Sequence, residues 1–115
     1  MAAEFTVRID AGAQEVLKVL REGMAHIELV SEDTFQGQRD DTYIAVLLYQ
    51  HYFMRVGNQL ALMLLVSGDS QSARVKSVAC ASSRDMVLSF DMGAAGDFAT
   101  EPINLLRERF GRRAT

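Results

Sequence analysis

One cysteine, Cys80, stands in the 115 residues. No intramolecular disulfide can form, and the usage fits a reducing compartment. Long apolar runs are also lacking. The longest, Ile44–Tyr49 and Leu60–Val66, fall far short of the roughly 18 residues that suggest a membrane span. The opening Met-Ala-Ala-Glu-Phe-Thr has neither the basic start nor the apolar stretch of a secretory signal, so a cytoplasmic protein without a membrane partner is expected. Positive charge is not in excess: the net charge is −3 and the pI about 5.3, which argues against nucleic acid as the main partner. His26 and His51 form no HxH or HExxH pattern, so no metal is expected, and no other cofactor has a signature.

What is present is an ordinary globular composition, 49% apolar and 23% charged. Residues 1–115 read as a single compact domain able to bury a core without staples. Phe5 to Ile9 alternates apolar and polar, the period of a half-buried strand. Asp10 stands where a helix N-cap is wanted. Val16, Leu17, Leu20, Met24 and Ile27 then recur at three- and four-residue spacings, predicting an amphipathic helix over 11–25, weakened at Gly23. A short strand over 29–35 and a loop over 36–41 follow.

The stretch from Thr42 to Val66 is the most informative. Two apolar, β-rich runs flank Gly57-Asn58, which suits a two-residue type II′ turn. That turn pairs Val56 with Gln59, Phe53 with Leu62, His51 with Leu64 and Tyr49 with Val66. One face then carries Leu47, Tyr49, His51, Phe53 and Arg55 against Leu60, Leu62, Leu64 and Val66. The other carries Val46, Leu48, Gln50, Tyr52 and Met54 against Gln59, Ala61, Met63 and Leu65. Neither is polar enough for an ordinary solvated face, so something is expected to cover both.

Ser67–Ser72 reads as a turn, Ala73–Ala81 as a strand whose mixed alternation suggests a bulge, Ser82–Asp85 as a turn, and Met86–Met92 as a last strand. Gly93 to Gly96 then breaks the chain. Ile103, Leu106 and Phe110 mark a C-terminal helix that Asp97 or Thr100 caps. Proline is tolerated only in a first turn, so Pro102 puts the start of the regular helix near Glu101, and Gly111 is its C′ residue. The expected fold is α+β: an antiparallel meander of about five strands, with a helix near the N-terminus and one at the C-terminus packed on one face.

Few residues suggest chemistry. His51 shares a strand face with Tyr49 and Arg55, a set able to bind an anion or move a proton, though a structural histidine beside the core is the plainer reading. His26 suits a helix C-terminus. Cys80 reads as a buried structural thiol. Gly93-Ala94-Ala95-Gly96-Asp97 lacks the residues of a phosphate loop, and a strand-to-helix turn explains it better. The acidic Glu28, Glu32, Asp33, Asp40 and Asp41 match no EF-hand. Arg107, Arg109, Arg112 and Arg113 suit a helix C-terminus and a frayed tail. No catalytic residue is assigned.

Tyr52-Phe53-Met54-Arg55 before the hairpin, and Phe90 with Gly93-Ala94-Ala95-Gly96-Asp97-Phe98 before the last helix, resemble a small bacterial family known as a domain of unknown function. The resemblance covers about residues 50–110. It implies a compact bacterial α+β protein with no assigned activity.

Three functions are left open. The first is a non-enzymatic binding or assembly domain, a homodimer or higher oligomer joined through Gln50, Tyr52, Met54, Ala61, Met63 and Leu65. The second is a helix-grip-like protein binding an apolar small molecule or lipid with Tyr49, His51, Phe53 and Arg55. The third is a small enzyme using His51.

Overall fold

The computed structural model describes residues 2–38, 41–53, 58–81 and 92–115. The elements are β1 (Ala2–Ile9), α1 (Ala13–Gly23), β2 (Glu28–Gln36), β3 (Tyr43–Phe53), β4 (Asn58–Gly68), β5 (Ala73–Ala81) and α2 (Met92–Phe110), closed by a 3-10 turn at Gly111–Arg113. All strand pairs are antiparallel, in the order β1-β5-β4-β3-β2. This is the expected α+β meander, with β1 added beside β5, so that β1 and β2 form opposite edges.

Strand alternation decides which side of the sheet is covered. Ala45, Leu47 and Tyr49 of β3, Leu60, Leu62, Leu64 and Val66 of β4, and Ala73, Val75, Ser77 and Ala79 of β5 are all buried on one side. Into them pack Val16, Leu17 and Leu20 of α1 and Phe98, Ile103, Leu106 and Phe110 of α2. Each large apolar side chain so enclosed stabilises the fold by about 1.5–3 kcal/mol. Both helices therefore lie on this inner face.

The β3–β4 register differs from the expected one. Tyr49 pairs with Leu62, His51 with Leu60 and Phe53 with Asn58, four residues from the pairing that a tight Gly57-Asn58 turn dictates. Residues 54–57, which include Val56 and Gly57, lie outside the described residues. An even displacement leaves every side chain on the face that alternation gave it, because the strand period is two.

Other boundaries moved for identifiable reasons. The N-cap of α1 is Gly12, not Asp10. The Ala13 N–H donates to the Asp69 carbonyl at 2.8 Å, and the Asp10 N–H to the Arg113 carbonyl at 2.7 Å. Tertiary partners thus take over where a side-chain cap was expected. β5 keeps its register unbroken against both neighbours, and the irregularity falls in β2 between Leu29 and Ser31. The 67–72 turn is as expected, with the Asp69 carboxylate accepting from the Gln71 and Ser72 N–H groups at 2.8 and 3.0 Å. The Ser82–Asp85 turn and the 86–92 strand lie outside the described residues, except that Met92 opens α2.

The largest departure is α2, which starts at Met92 rather than near Glu101 and carries Pro102 inside it. Gly93 to Gly96 is helical, not a break. Neither Asp97 nor Thr100 caps it: the Thr100 hydroxyl donates back to the Gly96 and Asp97 carbonyls at 2.9 and 3.1 Å. Burial of Ala94, Ala95, Phe98 and Ala99 outweighs the glycines' poor propensity and the N–H that proline lacks. The buried Ser77 hydroxyl also donates to the Ala99 carbonyl at 2.7 Å, tying β5 to the middle of this segment. The helix ends as expected at Gly111, whose φ of +57° suits a residue without a Cβ. The tail beyond it is not frayed: Ala114 bridges to Ile9, and the Thr115 N–H donates to the Arg8 carbonyl at 2.7 Å.

Candidate functional site

The strand face opposite the helices is the most unusual surface. Its side chains form cross-strand rows fixed by the register: Phe35, Ile44, Ser67, Arg74 and Arg8; then Asp33, Val46, Leu65, Lys76 and Thr6; then Ser31, Leu48, Met63, Val78 and Glu4; then Glu28, Gln50, Ala61, Cys80 and Ala2. Phe35 is 56%, Ile44 41% and Tyr52 54% exposed on this side. Val46, Leu48, Met63, Leu65 and Val78 are half-buried by their neighbours. No described helix lies over them.

Of the expected interface set, Gln50, Ala61, Met63 and Leu65 are half-buried and Tyr52 exposed, all on this outer face. Met54 lies outside the described residues. Cys80 is exposed here too, and not the buried thiol expected, because its strand parity points it away from the helices.

On the outer face the described cations gather on one edge, with Glu4 as the acid among them, and the opposite edge carries acids. Glu28 and Asp33 stand on β2, with the Glu28 carboxylate accepting from the Gln50 amide at 3.2 Å. Arg8, Arg74 and Lys76 stand on β1 and β5, with Glu4 beside Lys76 at 3.3 Å. Arg8 and Arg74 are direct cross-strand partners. The sequence could not show this grouping, since it depends on β1 pairing with β5.

The proposed ligand set is divided by the structure. Tyr49 is sealed in the core at 2% exposure. His51 is exposed further along β3, its ring centroid 6.4 Å from that of the buried Phe98. The side chain of Phe53, and Arg55 altogether, lie outside the described residues. Tyr49 therefore packs as a core residue, while His51 stands at the sheet end near the start of α2.

A second cluster went unrecognised in the sequence. Arg21 of α1 forms an ion pair with Glu32 of β2, its Nε donating to the carboxylate at 3.1 Å. Burial pushes the Tyr49 hydroxyl above the usual tyrosine range; the Glu32 carboxylate adds to this and Arg21 opposes it. The folded protein thus keeps a proton that the unfolded chain releases near pH 10. Tyr49's contribution to stability is complete below that pH and is lost as pH rises toward the raised folded value. Tyr49→Phe is expected to flatten the alkaline fall in melting temperature, followed from about pH 8 to pH 11; an unchanged alkaline limb would exclude Tyr49 as its source.

His26, in the turn after α1, has its Nε2 2.5 Å from the Glu101 carboxylate of α2, so it ties that turn to α2 rather than merely ending the first helix. A cavity of about 450 Å³ opens beside the start of α1, lined by residues including Gln36, Tyr43, Asp69 and Ser70. No cluster of metal-ligating side chains occurs among the described residues. No described helix is long and apolar enough to cross a membrane.

Fold and surface together define a two-layer α+β domain with helices on one side of its sheet and, on the other, a partly apolar face that no described helix covers. The chain belongs to a family of unknown function, DUF6054, whose model matches residues 1–109. The match takes in the N-terminal half, which the resemblance above did not. No curated protein matches significantly. Among solved structures, the human StarD13 lipid transfer and protein localization domain is similar at 11% identity, covering 96% of this chain and 77% of that one, with a TM-score of 0.44. A Thermus thermophilus protein is similar at 10% identity, with 96% and 97% coverage and a TM-score of 0.41. An 18 kDa protein from Caulobacter crescentus is similar at 12% identity, with 96% and 99% coverage and a TM-score of 0.39. Likenesses at this level say nothing of what this chain binds.

Proposed function

We propose that this is a non-enzymatic, cytoplasmic assembly domain that oligomerises through the outer face of its sheet. The observation that carries the reading is the placement of Phe35, Ile44 and Tyr52, all exposed, around half-buried Leu48, Met63 and Leu65 on a face that no described helix covers. Contiguous apolar surface of this kind on a soluble protein usually marks an interaction site. The small-molecule reading has less support, because Tyr49 is part of the packed core.

Light scattering at roughly 100 μM is expected to show an oligomer. Met63→Glu places a charge at the centre of the face without touching the helix side, and is expected to leave a folded monomer at the same concentration. A wild-type monomer under these conditions would overturn the reading.

A further inference from the structure

We propose that the outer face binds a second copy of this chain about a two-fold axis lying in the interface parallel to β4, so that the acidic β2 edge of each protomer meets the basic β1–β5 edge of the other. This rests on the assembly reading above and specifies its partner and geometry. Three observations carry it.

The first is area. Five strands of 8 to 11 residues spaced about 4.8 Å apart present a face of roughly 700 Å². A standard interface uses about 800 Å² per partner.

The second is unpaired charge. Arg8 and Arg74 face each other directly across β1 and β5, and like charges so placed are destabilising. Neither guanidinium has a carboxylate partner among the described residues, and neither does Asp33 have a cationic one. All three side chains are exposed on the outer face, where a partner's opposite charge can reach them.

The third is symmetry. A closed dimer built on one face is isologous, each patch meeting itself turned by the axis. An axis across the strands would stack basic edge on basic edge and acidic on acidic. An axis along the strands exchanges the edges and keeps position along them. Asp33 shares its row with Lys76, one row (about 7 Å) from Arg74. The partner's acidic edge then falls among these cations, and the two sheets stack in the aligned manner common to sandwiches.

The test is the dimer dissociation constant from sedimentation equilibrium of the full chain. Arg8→Glu with Arg74→Glu is expected to weaken the dimer at least about tenfold, by setting acid against acid. Asp33→Arg alone is expected to weaken it in the same direction. Adding Glu28→Lys and Asp33→Lys to the double arginine variant exchanges the two edges and is expected to restore the dimer. Thermal unfolding of each variant keeps a folding defect distinct from a lost interface. If wild type dimerises and Met63→Glu abolishes it, yet neither the Arg8→Glu/Arg74→Glu variant nor Asp33→Arg weakens it, the charge-exchanged geometry is overturned while the assembly reading stands. A wild-type monomer overturns both.

Discussion

Phe98→Ala is expected to destabilise the domain by about 3–5 kcal/mol, the largest effect of any substitution considered for this chain. Phe98 is 1% exposed and the bulkiest fully buried side chain described. It belongs to the part of α2 least able to form a helix unaided, since Gly93 and Gly96 precede it and Pro102 follows. Packing must supply what propensity withholds there, so losing the ring removes both burial and the reason the segment is helical. Small domains have only about 5–15 kcal/mol of stability in total. The urea midpoint is expected to fall by more than about 1 M, and helical circular dichroism to decline with it. Phe98→Leu, which keeps most of the volume, should cost much less. A loss below about 1 kcal/mol for the alanine variant would mean that the ring is not enclosed as described.

Gly68→Ala is expected to cost about 1–3 kcal/mol, large for the addition of one methyl group. Gly68 ends β4, paired with Tyr43 on one side and Ala73 on the other. A Cβ there would overlap the Ser72 carbonyl oxygen and stand 2.8 Å from the Ala73 Cα. Both are backbone atoms and cannot swing aside as a flexible side chain would. The Asp69 N–H to Ser72 carbonyl bond of 3.0 Å lies in the same turn, so relief would have to open that bond. The Ala13 N–H also donates to this turn, at Asp69, so the disturbance should reach the start of α1. Hydrogen exchange is expected to speed up at Ala13 and Ser72 together. An alanine variant with wild-type stability would show that the turn relaxes freely.

The candidate surface was half legible in the sequence. Alternation in β3 and β4 places Gln50, Tyr52, Ala61, Met63 and Leu65 on one face, and the structure has them on one face. The basic edge was not legible. Arg8, Arg74 and Lys76 come from strands far apart in the chain, and only the β1–β5 pairing brings them together. Alternation alone groups Tyr49 with His51 as a pocket wall; burial under the helices, a long-range matter, makes it core. Cys80 reads as buried because Val78, Ala79 and Ala81 around it are small or apolar, and local composition does not tell which side a helix will cover.

By itself the sequence determined what depends on local period. The two-residue repeat of β1, β3 and β4 set which side chains share a face, the stripe of Val16, Leu17 and Leu20 set the buried side of α1, and Gly111 set the end of α2. Tertiary structure alone decided the β3–β4 register, since a displacement of four residues leaves the alternation untouched and no local pattern distinguishes the two pairings. It also decided where α2 begins. The energy of a helix start in a glycine-rich segment comes from burying Ala94, Ala95, Phe98 and Ala99 against a sheet that includes β1 from the other end of the chain, and a local pattern does not contain that energy.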